Sequence, residues 1–280
     1  MKLLKRQACL WACRGGNDRS QTVMEETGVN RLSDRGSTPL WSIWWYFMKH
    51  LKKQLKRILT ILILSTVLVL PGCDKNSDTV PMQFEKQEDQ RLIRINIRDR
   101  GAVTFRLFYG QEPDAVSEFI EKAKNGYYNG TSFYEIIEDY LIMGGNESSD
   151  GSNKVKAKGS GDLYPFNGAL CTTLNSDGTC SLNNFYIITL NTDELKNIEE
   201  LVEHKGYTLS DYIKFGYKTE LTVQELENFR TYGGAPWMYG HTVVLGQVIE
   251  GFEVLENIIE LENEDGEESE VIVIDSIETD

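Results

Sequence analysis

The stretch RLIRINIRDRGAVTFRLFYG, residues 91–110, sets the strongest limit on what this chain can fold into. Leu92, Ile95 and Ile97, then Val103, Phe105 and Leu107, alternate with polar and charged residues. A period of two sends alternate side chains to opposite faces of a strand, and Asp99-Arg100-Gly101 between the runs supplies turn chemistry. The pattern predicts two antiparallel strands sharing one apolar face. A lone hairpin is marginal in water, so that face needs further strands or helices against it.

The rest of the chain supplies them. In DAVSEFIEKAKNGYY, Ala115, Val116, Phe119, Ile120 and Ala123 recur at helical spacing, with Pro113-Asp114 before them and Gly126 after. FYEIIEDYLIMGG, residues 133–145, reads as a strand that turns over and runs back to a Gly-Gly stop, with Glu135, Glu138 and Asp139 set among apolar residues. A Gly/Ser/Lys-rich loop covers 144–163. GALCTTLN and NFYIITLN are strand candidates around the turn-like SDGTCSLN. Residues 191–232 are acidic and helical in pattern, an inserted helical element. HTVVLGQVIEG then reads as a strand, FEVLENIIEL as a helix and SEVIVIDSIET as a closing strand. The class is mainly β, with the pattern of a closed antiparallel barrel capped by two helices.

Charge divides the chain of 280 residues. Residues 1–72 hold twelve Lys/Arg against four Asp/Glu, whereas the remainder holds seventeen against thirty-nine. So acidic a body argues against nucleic acid, which is gripped by basic patches. The basic part has its own logic. MKHLKKQLKRILTILILSTVLVLPGC, residues 48–73, has a basic head and an apolar run from Ile58 to Leu70, short for a membrane span and suited to a secretory signal. It ends in Leu70-Pro71-Gly72-Cys73, which resembles a bacterial lipobox with Cys73 as the lipidated residue; a retained anchor and cleavage without lipid are the competing readings. A signal starts close to its basic head, so residues 1–47 are read as an extension upstream of the true start at Met48. Residues 74–90 read as a tether and 91–280 as the folded domain, with 191–232 inserted. The expectation is an exported monomer, lipid-anchored to the bacterial cell envelope and facing the periplasm.

Export permits disulfides. Cys171 and Cys180, eight residues between them, are compatible with a bridge across a loop and equally with two buried thiols. His50, His204 and His241 are too scattered for a metal site, and no loop has phosphate-binding spacing, so neither metal nor cofactor is expected.

In this order the elements resemble the cyclophilin-type peptidyl-prolyl cis-trans isomerases over residues 91–278. The likeness is carried by the strands around Gly101, by SEFIEKAKNGYYNGTSFYEII, LIMGG, GAL and NFYI, and by GQVIEGFEVLENI. The insert followed by RTYGGAPWMYGHTVVLG is similar to that of cyclophilins from Bacteroidota-type bacteria. The resemblance implies a site for proline-containing peptides or exported proteins. It would be lined by Phe133, Tyr140, Leu141, Met143, Thr173, Asn184, Tyr186, Trp237 and Met238, with Thr242 at the family's histidine position, or His241 if the alignment slips by one.

Two residues depart from the family pattern. Glu135 stands where the family carries its arginine, and Met143 where it carries a glutamine. Rotation about an X–Pro bond meets a barrier of about 18–20 kcal/mol set by amide resonance. Catalysis rests on an apolar pocket for the ring and a cationic donor to the prolyl nitrogen as its lone pair localises. Arginine is always charged and rich in donors, whereas an ionised carboxylate has no proton to give. Glu135 therefore leaves three readings: a solvated strand residue beside an abandoned pocket, peptide binding without appreciable catalysis, or isomerisation with another donor such as Tyr134 or His241.

Overall fold

The computed structural model describes residues 80–85, 91–146, 153–159, 161–263 and 271–280. The extension, the signal segment with Cys73 and most of the tether lie outside the described residues. Those described fall within one compact unit, Ser77–Asp280, which carries its own core.

The first hairpin forms where the alternation predicts it. β1 (Arg91–Ile97) pairs with β2 (Gly101–Leu107) from Arg91↔Leu107 to Ile97↔Gly101, and Asp99 turns the chain at φ 58°. The inward face is Ile93, Ile95 and Ile97, so Leu92 points outward. α1 (Pro113–Lys124) follows, with Pro113 in its first turn and Lys122 and Lys124 in its last, where the helix dipole favours a cation. Then come β3 (Ser132–Ile137), β4 (Leu141–Gly145), β5 (Lys154–Lys156), β6 (Ala169–Thr173), β7 (Thr179–Ser181) and β8 (Asn184–Ile188). The insert is three helices, α2 (Thr192–Glu203), α3 (Leu209–Tyr217) and α4 (Val223–Tyr232). A 3₁₀ turn (Pro236–Met238), β9 (Thr242–Glu250), α5 (Phe252–Asn263) and β10 (Ile272–Thr279) complete the chain.

Eight strands close into an antiparallel barrel in the order β1-β10-β3-β4-β8-β6-β9-β2. Its interior is a continuous apolar core, to which α1 adds Ala115, Val116, Phe119 and Ala123 and α5 adds Val254, Leu255 and Ile258. The barrel with two capping helices is thus the observed architecture. The β5–β7 pair, a separate two-stranded sheet, was hidden in segments read as loop and turn, because strands of three residues are too short to show a period.

Each insert helix begins with a side-chain cap. Asn191 accepts from the Glu194 amide, and Thr208 with Asp211 and Thr222 with Glu225 form capping boxes. Such caps satisfy amide groups that a short helix otherwise leaves open.

The tether reading needs correction at residues 80–85. Gln83 is 1% exposed. Its amide nitrogen donates to the Tyr164 carbonyl (2.8 Å) and to Gln247 Oε1 (3.3 Å), and its Oε1 accepts from the Tyr164 amide (2.6 Å). The buried Arg106 guanidinium donates to the carbonyls of Gln83 and Glu85, and Phe84 stacks on Tyr232 at 4.3 Å. The Gln83 side chain is buried here because both ends of its amide find partners. Gln83→Ala in the Ser77–Asp280 fragment leaves buried partners unpaired and should cost about 1–3 kcal/mol. Urea denaturation checks this, and an unmoved midpoint would mean that the clasp contributes nothing.

Candidate functional site

The site is built on the outer face of the barrel wall, and a bulge decides what stands there. In β3, Phe133 pairs with Gly144 and Glu135 with Met143, with a register shift between the two pairs. Residues two apart normally share a face; the bulge puts these two on opposite faces. Phe133 turns inward, 5% exposed, edge-on to Phe185 at 6.2 Å. It belongs to the core and does not line the surface site expected for it. Glu135, half-buried, turns outward.

Across the strands the paired positions run Glu135, Met143, Tyr186, Cys171 and Val244. In the neighbouring row Thr173 pairs with Thr242. The Tyr186 and Thr242 hydroxyls bond to each other, and both reach the Thr172 carbonyl, at 3.3 and 3.1 Å. Tyr186 is 5% and Thr242 1% exposed, and burial pushes the Tyr186 phenol well above its ordinary pKa. Tyr140 enters from the β3–β4 turn, which Asp139 makes at φ 51°. Its hydroxyl accepts from Trp237 Nε1 at 3.1 Å, and burial pushes the phenol up to about 12. Leu141 is buried, Met143, Asn184 and Met238 are half-buried, and Thr173 is exposed.

The wall is therefore aromatic, with its hydroxyls paired among themselves, and none of the site residues named is an arginine or lysine. His241 goes elsewhere: its Nε2 bonds the Tyr217 carbonyl at 3.0 Å, on the insert. Thr242 stands buried on the wall beside Tyr186. Glu135 can accept hydrogen bonds there but, ionised, cannot donate to a prolyl nitrogen.

Two contributions were not legible. Cys171 lies in the row with Tyr186, with nothing in the sequence to mark it. Tyr217 of α3 packs against Trp237 with ring centroids 6.1 Å apart, and Tyr212 packs edge-on to Tyr217 at 5.6 Å. Both come from the insert, whose helical periodicity says nothing of where it docks.

Of the two readings left open for the cysteines, the structure has the pair of buried thiols. Cys171 and Cys180 are both free and buried. Cys171 sits on β6 opposite Tyr186 and Val244, whereas Cys180 sits on β7 opposite Val155 and joins the apolar core. Burial pushes each thiol up to about 12.

Comparison with known proteins shows the family. The family model "Cyclophilin type peptidyl-prolyl cis-trans isomerase/CLD" matches residues 92–279, and the chain belongs to that family. A relative from Staphylococcus epidermidis, named "Putative peptidyl-prolyl cis-trans isomerase", is 28% identical over 185 residues, covering 64% of this chain and 86% of its own. One of the same name from Staphylococcus aureus is 29% identical over 184 residues, covering 63% and 85%. Among solved structures, a cyclophilin type peptidyl-prolyl cis-trans isomerase of Cryptosporidium parvum matches at 21% identity and a TM-score of 0.42, over 69% of this chain and 98% of that one.

A thiol with so high a pKa is unreactive at neutral pH. Iodoacetamide on the folded, unreduced Ser77–Asp280 fragment should add nothing, and in urea without reductant it should add two adducts. An adduct-free mass in urea would establish a disulfide after all.

Proposed function

We propose that the protein is a cell-envelope cyclophilin that binds proline-containing segments of exported proteins and isomerises them weakly or not at all. The observation that carries this is Glu135 on the outer wall, paired with Met143, which in turn pairs with Tyr186. The aromatic wall suits a pyrrolidine ring, since apolar surface and a few fixed polar groups are what small-ligand sites are made of. The donor that would lower the barrier is replaced by an acceptor of the wrong sign. Losing one preorganised donor typically costs about 10²–10³ in rate, and a reversed charge costs more.

A protease-coupled assay of a short X–Pro peptide with the Ser77–Asp280 fragment tests this. Wild type should fall about 10²-fold or more below an active cyclophilin measured alongside. Glu135→Arg with Met143→Gln should exceed either single change, because neighbours sharing one site couple. Wild-type turnover equal to that of the active cyclophilin would sink the reading and move the donor role to another group, Tyr134 first.

The envelope part of the proposal rests on the sequence, on the basic head, the apolar run and Cys73. A lipid on Cys73 would hold the barrel at a membrane, where newly exported chains appear. In fractionated bacteria expressing the full chain, Cys73→Ser should move the protein from the membrane to the soluble fraction. Membrane retention of that variant with an uncleaved N-terminus would make residues 58–70 an anchor instead.

A further inference from the structure

The insert places a second pair of aromatic rings at the edge of the candidate site. Four rings form a chain, Tyr140–Trp237–Tyr217–Tyr212, with successive centroids 6.0, 6.1 and 5.6 Å apart. The first two belong to the barrel wall and its 3₁₀ turn, the last two to α3. The Tyr212 and Tyr217 hydroxyls stand 3.2 Å apart. Tyr140 keeps 7% and Trp237 3% of its surface exposed. The end of α3 is fastened over the turn by two contacts, His241 to the Tyr217 carbonyl and Thr219 Oγ1 to the Tyr239 carbonyl at 3.0 Å. Lys218 stops the helix there, left-handed at φ 58°.

We propose that Tyr217 is a movable wall of the proline site, lying against Trp237 at the edge of the pocket, so that a proline-containing segment gains full access only when α3 is displaced. The inference rests on the proline-binding reading above. It makes the insert, rather than the barrel alone, a determinant of which segments bind. A nine-residue helix is marginal by itself in water, so α3 owes its place to these contacts. A site open only part of the time binds with an affinity lowered by the open fraction.

The Ser77–Asp280 fragment offers a direct probe, because Trp11, Trp41, Trp44 and Trp45 precede it and Trp237 is its one tryptophan. Acrylamide quenching of Trp237 reports the cover, and titration with a blocked Ala-Ala-Pro-Phe peptide reports access. Tyr217→Ala should raise quenching and tighten peptide binding about threefold to tenfold, the scale of one aromatic pair. Tyr217→Phe keeps the ring and should match wild type in both. Unchanged quenching in Tyr217→Ala overturns the cover, and raised quenching with unchanged affinity overturns its role in access. If neither protein binds peptide while quenching rises, the proline-binding reading has failed and the role in access with it, the quenching telling this apart from a failed cover. Should Tyr217→Ala lose its cooperative unfolding transition, Tyr212→Ala removes the ring that backs Tyr217 and carries the same two readouts.

Discussion

The contact of Phe133 with Gly144 fixes the geometry on which the site depends. A β-carbon on Gly144 would lie 2.7 Å from Phe133 Cδ1, so this strand position has to lack a side chain for the ring to turn inward. Phe133 also pairs with Ile272 at the seam where β10 meets β3 and the barrel closes. With Phe133 committed to the core, the bulge must throw Glu135 to the other face, opposite Met143. A slip of one residue would exchange the two faces of β3 and place a carboxylate among phenylalanines, a cost no local gain offsets. The register of the core thus dictates the chemistry of the surface.

That surface is built around hydroxyl groups. Tyr186 and Thr242 satisfy each other, and Tyr140 accepts from Trp237. Buried polar groups are stable when paired and costly when not, so the Tyr186 and Thr242 hydroxyls and the Trp237 N–H, already bonded, are not free for a substrate amide. Its rings are nearly covered, with Tyr140 7%, Tyr186 5% and Trp237 3% exposed, and come within reach only as α3 yields. A peptide could gain from apolar burial there without the transition-state contact that a guanidinium would add, and binding substrate and transition state equally does not raise the chemical rate.

How much of this the sequence discloses depends on the range of the interaction. Periodicity gave the β1–β2 hairpin, α1, β9, α5 and β10, because each is a local pattern of apolar residues. It could not give the face of Phe133, because a bulge is a property of two paired strands. It misplaced Leu92 by one position for a similar reason, since Leu92 and Ile93 are both apolar and only the packed core chooses between them. The residue types at Glu135, Met143 and Thr242 were readable from resemblance alone, whereas the docking of Tyr217, the clasp at Gln83 and the separation of Cys171 from Cys180 each rest on contacts between distant segments. Polar composition made residues 80–85 look like linker, and three hydrogen bonds from one glutamine made them part of the domain.

The insert shows the same division between local and distant causes, and it bears on how α3 moves. Caps written into the sequence start all three helices, but what holds them differs. α4 buries Leu226 and Phe229 and joins an aromatic cluster in which Phe166 meets Phe229, Tyr232 and Phe84, and Arg230 ties α4 to Glu199 of α2. α2 buries Leu195, Ile198 and Val202. α3 buries Leu209 and Ile213 and leaves Phe215 72% exposed. Local opening follows the number of buried apolar contacts an element must give up. α3 and α4 each bury two apolar residues, but α4 is held besides by the Phe166 cluster and by Phe84 of the clasp, which stacks on its Tyr232, so α3 can yield at the site while α4 stays in place.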